Sequence, residues 1–117
     1  MILMSLFDKD LALKQAGDNL ELAKELLEML INDLPDSQQV INQAHSNHDK
    51  DAFWNAVHKV HGGTAYCGVP DLKLACKSLE DEIKIAYPSE AADSACNILN
   101  EEINRLLENA QKLLATL

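Results

Sequence analysis

The sequence predicts an all-α fold, an antiparallel four-helix bundle with a short additional helix at its N-terminus, and three observations predict it. Apolar residues make up 47% of the chain but aromatic ones only 4%, so Leu and Ala, both strong helix formers, carry most of the hydrophobicity. Only 4 glycines and 3 prolines interrupt 117 residues, which leaves long stretches without a breaker. Apolar residues also recur at spacings of three and four along most of the chain, the helical period. A chain of this length makes one domain, residues 1–117 with its core from about residue 7, long enough to bury a real hydrophobic interior.

Asp8 to Ala16 reads as a short amphipathic lead-in closed by Gly17-Asp18. Asp18 has the form of an N-cap, with Glu21 three residues later completing a capping box. Leu22, Leu26, Met29 and Leu30 follow at helical spacing. Leu34 before Pro35 ends that run, because the residue before a proline is steered away from helix. A further helix from Ser37 to about Asn47 buries Val40, Ile41 and Ala44, and His45-Ser46-Asn47-His48-Asp49 makes a polar turn. The next helix begins near Asp49 or Asp51. It places Phe53, Ala56, Val57, Val60, Thr64 and Cys67 in one arc about 100° wide, a core-facing stripe. Tyr66 to Pro70 breaks it, and Pro70 suits the first turn of a helix carrying Leu72, Ala75, Cys76, Leu79, Ile83 and Ala86. After the turn Tyr87-Pro88-Ser89, Ser89 caps a long last helix. Its core positions are Ala92, Ala95, Cys96, Leu99, Ile103, Leu106, Leu107, Ala110, Leu113 and Leu114. Four main helices with short connections and one apolar face each pack as an antiparallel bundle.

Charge and composition exclude several function classes. A net charge of −9 argues against nucleic acid and anionic membrane as partners. No segment approaches the length of a membrane span. The apolar start, Met1 to Phe7, is too short for a signal peptide and lacks a basic leader, so a cytoplasmic location without direct membrane contact is expected. Cys67, Cys76 and Cys96 are odd in number and lack metal-type spacing, which suits small buried thiols in a reducing compartment.

The candidate chemistry lies on the outer face of the third stretch. His58 falls opposite the apolar arc, among Asp51, Trp54, Asn55, His61, Gly62 and Ala65. A glycine inside a helix costs roughly 0.5–1 kcal/mol relative to alanine. Yet the apolar phase runs straight through Gly62-Gly63. A flat surface beside an exposed imidazole suits close approach by another protein. The plain alternative is a solvated histidine with no task and a glycine pair that stops the helix.

The run His58-Lys59-Val60-His61-Gly62, with Gly68 further on, resembles the signature of the histidine-containing phosphotransfer (HPt) domain family: His, any residue, an aliphatic, commonly Lys, then Gly, and a second Gly six positions later. Phe7-Asp8, Leu11-Ala12-Leu13, Gly17-Asp18, Leu22, Leu26 and Leu27 are similar to the family's N-terminal part, and Leu72 to Glu80 to its next helix. The resemblance is greatest to the C-terminal HPt module of hybrid sensor histidine kinases of the BarA type. One position departs, since His61 stands where many relatives have Lys, leaving Lys59 to provide part of the positive charge near the phosphate.

The resemblance implies a phosphocarrier. His58 would take a phosphoryl group from an aspartyl phosphate on a response-regulator receiver domain and pass it to another receiver. A solvated imidazole is largely neutral at pH 7, so Nε2 can attack phosphorus in line through a loose, metaphosphate-like transition state. Mg²⁺ would be held by the receiver's own carboxylates, and this chain would need no cofactor and no metal. No Gly-rich phosphate loop is visible, so the chain is expected to be a phosphorelay intermediate and not a kinase. Glu80, at the place where similar domains often have Gln, either accepts from Nδ1–H of His58 and frees Nε2, or is an exposed carboxylate on an acidic surface. Trp54, Gly62, Ala65, Gly68 and Lys77 are the expected docking residues on a monomeric module. Trp54 lies about 40° from His58 on the helical wheel, either core at the bundle's edge or the rim of the docking patch. Lys59, Lys73, Lys77 and Lys84 either gather positive charge near His58 or are scattered and solvated.

Two rival readings remain. The pairs His45/His48 and His58/His61, each three residues apart, could hold a metal ion, but no carboxylate or thiolate accompanies them at a familiar motif spacing. A non-catalytic helical adaptor would use Trp54 and Ala65 to bind a partner helix without chemistry.

Overall fold

The computed structural model describes residues 6–117, so most of the apolar start, Met1 to Phe7, lies outside the described residues. Six helices succeed one another: α1 (Lys9–Gln15), α2 (Leu20–Ser46), α3 (Lys50–Gly63), α4 (Pro70–Ile85), α5 (Glu90–Glu108) and α6 (Ala110–Ala115). A single 3₁₀ turn, Thr64–Tyr66, comes after α3. Among the described residues there is no strand. Helices α2 to α5 form the bundle: α3 packs between α2 and α4, and α5 closes it against α4 and α2.

Helix α2 departs most from expectation. The chain does not stop at Pro35 but runs through it as one helix of 27 residues. Proline in a helix interior removes the hydrogen bond to the carbonyl four residues back and normally costs about 3 kcal/mol. Pro35 and Asp36 are exposed, while Leu30 and Leu34 before them and Ile41 and Ala44 after them are buried. One core stripe thus anchors both halves and holds the helix together across its defect. The buried set is Ala23, Leu27, Leu30, Leu34, Ile41 and Ala44, so Leu22, Met29 and Val40, expected in the core, face solvent. The N-cap also moves by one residue. Asn19, not Asp18, accepts from the Leu22 N–H at 3.0 Å. Gly17 and Asp18 both adopt positive φ, of 65° and 63°, and make the turn that feeds the cap. Asp18 therefore does not cap the helix, and the expected capping box gives way to the Asn19 cap.

The remaining helices keep closely to their sequence stripes. Phe53, Val57, Val60, Thr64 and Cys67 are buried and Ala56 is half-buried. Helix α3 itself ends at Gly63, so Thr64 belongs to the 3₁₀ turn and Cys67 lies just past it. Leu72, Ala75, Cys76, Leu79 and Ile83 are buried on α4, whereas Ala86 lies past its end and is exposed. Ser89 caps α5 by accepting from the Ala92 N–H at 3.0 Å. The expected long last helix breaks at Asn109 into α5 and α6, leaving Leu107, Leu113 and Leu114 only half-buried. A polar ladder also joins α2 to α5. Gln38 Nε2 donates to Asn100 Oδ1 at 2.9 Å, and Asn100 Nδ2 donates to Asn42 Oδ1 at 3.0 Å. The three cysteines are free and buried, and burial pushes the Cys67 and Cys96 thiols up to about 11 and Cys76 to about 12, so they stay protonated.

Gly68 belongs to the fold, which corrects its assignment to a docking surface. It is buried at φ +63°. An added Cβ would stand 2.5 Å from the Asp8 carbonyl oxygen and 2.7 Å from the Ala12 Cβ. Its carbonyl accepts from the Asp8 N–H at 2.8 Å and its N–H donates to Gln15 Oε1 at 2.9 Å. Gly68 is the point at which α1 is fastened to the loop after α3.

Candidate functional site

Asp49, next after His48 at φ 53°, caps α3 by accepting from the Ala52 N–H at 3.1 Å. That start sets the rotation of the helix. With Phe53, Val57 and Val60 turned inward, the His58 side chain is left 58% exposed. It is exposed but not free. Its Nδ1 lies 2.9 Å from Oε2 of Glu80, which reaches across from α4 and is only 6% exposed. Its ring stacks on Trp54, one turn earlier, with centroids 4.5 Å apart and planes 14° apart. Of the two sequence readings of Glu80, the bonded one holds.

The Glu80 carboxylate serves a second imidazole. His61 Nδ1 lies 2.5 Å from Oε1 and 3.0 Å from Oε2, and the His61 side chain is only 20% exposed. An ionised carboxylate is an acceptor only, so two nitrogens held this close to it must both present N–H. Burying a carboxylate is costly unless it is hydrogen-bonded, and the two Nδ1–H groups meet that need. Both Nδ1 atoms are thus placed to donate to Glu80, and Nε2 of His58 lies on the side of the ring away from that contact. A carboxylate behind an imidazole orients the ring.

Trp54 is half-buried and packs against the bundle's core at its edge, beside His58. Its indole N–H has no hydrogen-bond partner among the described residues, and the Lys84 ammonium sits 5.1 Å from its ring centroid, a cation–π distance. Gly62 meets open space, with nothing within 4 Å of an added Cβ, whereas a Cβ on Gly63 would touch Leu30 at 3.5 Å. The fold therefore makes no demand for glycine at 62. Ala65 is half-buried on the 3₁₀ turn. Lys59 lines the groove between α2 and α3 with Asp33 and Asp36, not the α4 side from which Glu80 comes. Lys77 pairs with Asp81 at 2.8 Å, and that hydrogen bond raises its pKa. Lys77 is nevertheless close enough to Glu80 for that carboxylate to add to the upward shift. Sequence reasoning missed an apolar hollow beside His61, formed by Leu11, Val69, Pro70 and Leu74 and rimmed by Lys73 and Lys77. The exposure of Leu74, off the core stripe of α4, was its one sequence signal.

The second histidine pair is not used this way. His45 Nδ1 meets the Tyr87 hydroxyl at 2.8 Å and its Nε2 meets Asp93 at 2.9 Å, while its ring stacks on Phe53. It joins the end of α2 to the start of α5.

Fold and site together define a class of protein, a helical bundle that shows a solvent-facing imidazole held from behind by a buried carboxylate. Comparison with known proteins agrees. The family model for the Hpt domain matches residues 25–113, and the chain belongs to the Hpt domain family. The sensor histidine kinase GacS of Pseudomonas protegens is 33% identical over 108 residues, covering 92% of this chain and 12% of that protein. The signal transduction histidine-protein kinase BarA of Escherichia coli K12 is 28% identical over 107 residues, again 92% of this chain and 12% of that protein. The HPT domain of a hybrid histidine kinase from Shewanella superposes with a TM-score of 0.86 at 30% identity, covering 96% of each chain. The chain thus spans only a small part of the curated kinases it matches, and its role is histidine phosphotransfer in a phosphorelay.

Proposed function

We propose that His58 is the phosphorylated residue, accepting a phosphoryl group from a receiver-domain aspartyl phosphate and passing it to another receiver. The observation that carries this reading is the division of labour on one ring: Nδ1 is held by Glu80 while Nε2 faces outward on a side chain that is 58% exposed. As Nε2 bonds phosphorus and the aspartate carboxylate leaves, positive charge builds on the imidazole, and Glu80 behind Nδ1–H offsets it. Mg²⁺ on the receiver's carboxylates neutralises the phosphoryl oxygens, so this chain contributes position and a nucleophile and acts as a carrier. Trp54, Gly62, Ala65 and the hollow beside His61 make up the docking surface. The same reading places a monomeric module in the cytoplasm without nucleic-acid or direct membrane contact. The charge of −9 opposes binding to nucleic acid and to an anionic membrane surface, and among the described residues no helix is long and apolar enough to cross a membrane.

The test is incubation with a phosphorylated receiver and Mg²⁺, with subsequent mapping of the phosphate. An acid-labile, base-stable label on His58 is expected. A complex that forms without any transfer of label would support the adaptor reading instead.

Gly62 tests the docking geometry. Since an added Cβ meets nothing within 4 Å, Gly62→Ala should keep the stability or raise it by up to about 1 kcal/mol through helix propensity, read as an equal or higher melting temperature. Gly62→Leu should also fold, but its side chain stands one turn from the imidazole and holds a receiver off. Displacing reacting atoms by about 1 Å can cost on the order of 100-fold in rate. Rapid-quench transfer with one receiver should therefore slow by roughly that factor, with an unchanged circular dichroism spectrum. Unaltered transfer would mean that the receiver docks elsewhere.

A further inference from the structure

The objection from sequence to a metal ion is that no carboxylate or thiolate accompanies the histidine pairs at a familiar motif spacing. In space one does. One ligating atom from each of His58, His61 and Glu80 lies within 4.8 Å of the other two. Glu80 Oε2 is 2.9 Å from Nδ1 of His58 and 3.0 Å from Nδ1 of His61. A tetrahedral zinc ion with ligands at about 2.0–2.1 Å spaces them about 3.3 Å apart. Those two edges therefore need to open by only a few tenths of an ångström. Two imidazoles and one carboxylate are also a ligand set that zinc takes, with water completing the shell. The rings stand edge-on to one another, with centroids 6.2 Å apart and planes at 90°. His45, by contrast, has both nitrogens committed to Tyr87 and Asp93.

We propose that His58, His61 and Glu80 form a binding site for a zinc-type divalent cation, and that its occupancy turns the phosphoacceptor off. The reason is tautomeric. A metal on Nδ1 needs the lone pair there, so the proton of each imidazole leaves Nδ1 and returns from solvent to Nε2. Each ring keeps one proton and stays neutral, but Nε2 of His58 becomes an N–H and loses the lone pair that attacks phosphorus. The ion thus uses the same carboxylate that orients the nucleophile to hold it in the wrong tautomer. The binding claim is independent of phosphotransfer, whereas the inhibition claim rests on that reading.

Isothermal titration calorimetry with zinc chloride tests the site. One ion per chain is expected, with affinity weakened about tenfold or more in His61→Gln and in Glu80→Gln, and unchanged in His48→Gln. Binding that survives His61→Gln, or that is lost in His48→Gln, would overturn the site. Should Glu80→Gln fail to fold, His61→Gln decides alone, because its side chain is partly exposed. For inhibition, labelling by phosphoramidate, a donor that needs no receiver and no Mg²⁺, should fall about tenfold or more in saturating zinc. The His61→Gln chain should label in zinc as it does without it. Undiminished wild-type labelling in saturating zinc would overturn the tautomeric switch. No labelling even without zinc would instead count against His58 as the phosphoacceptor, and calorimetry would still decide the metal site.

Discussion

His58→Gln should abolish phosphate incorporation while leaving helix content and melting temperature close to wild type. The folded state loses little at this position. The side chain is 58% exposed, and a glutamine amide can still donate to the Glu80 carboxylate that His58 Nδ1 meets at 2.9 Å. The stacking on Trp54 is the main loss, on the order of 0.5–1.5 kcal/mol. The chemistry loses everything, because an amide offers no nucleophilic nitrogen lone pair. Label counted on the intact protein, beside a thermal melt of the same sample, checks both halves. Phosphate that persists in the variant, or that maps to His45 or His48, would refute the assignment. His45 is a poor candidate on structural grounds, with both ring nitrogens engaged.

Gly68→Ala should be among the most damaging single-methyl changes in the molecule, by about 2–5 kcal/mol. Two costs add. A non-glycine residue at φ +63° is strained by about 1–2 kcal/mol. Forcing a methyl into a filled space costs about 1–3 kcal/mol more, and here the nearest obstacle is backbone, the Asp8 carbonyl oxygen at 2.5 Å. Urea unfolding should show a midpoint lowered accordingly, and a thermal melt should shift by on the order of 10 °C. Relief would come from detaching α1, so loss of the burial of Ala12 and Ala16 should appear as faster amide exchange in α1. A wild-type melting curve would mean that α1 is not fastened at Gly68. The same Gly→Ala change at Gly62 has the opposite expected sign, because that Cβ points into open space. Two glycines of one motif thus differ: the fold needs a glycine at Gly68 and makes no such demand at Gly62.

Much of this molecule is legible one helix at a time. The stripes of α3, α4 and α5 come from spacing alone, and so does the Ser89 cap. The outward direction of His58 and the stacking reach of Trp54 four residues earlier are also properties of a single helix. The continuity of α2 was in the sequence as well, since Ala23, Leu27, Leu30, Leu34, Ile41 and Ala44 keep one helical phase across the two-turn step from Leu34 to Ile41. Pro35 concealed it, because a local rule against proline was weighed without the packing that outweighs it.

The tertiary structure decided everything that passes between helices. Whether Glu80 reaches His58, whether it also takes His61, and whether Gly68 faces a receiver or α1 depend on how α3 and α4 are rotated and offset, and on where α1 lies. A period of 3.6 residues fixes the face a side chain occupies on its own helix but not what stands opposite it. One sequence therefore determined by itself a helical bundle showing an imidazole to solvent. Only the packing of α4 against α3 put a buried carboxylate between two histidines, within hydrogen-bond reach of both.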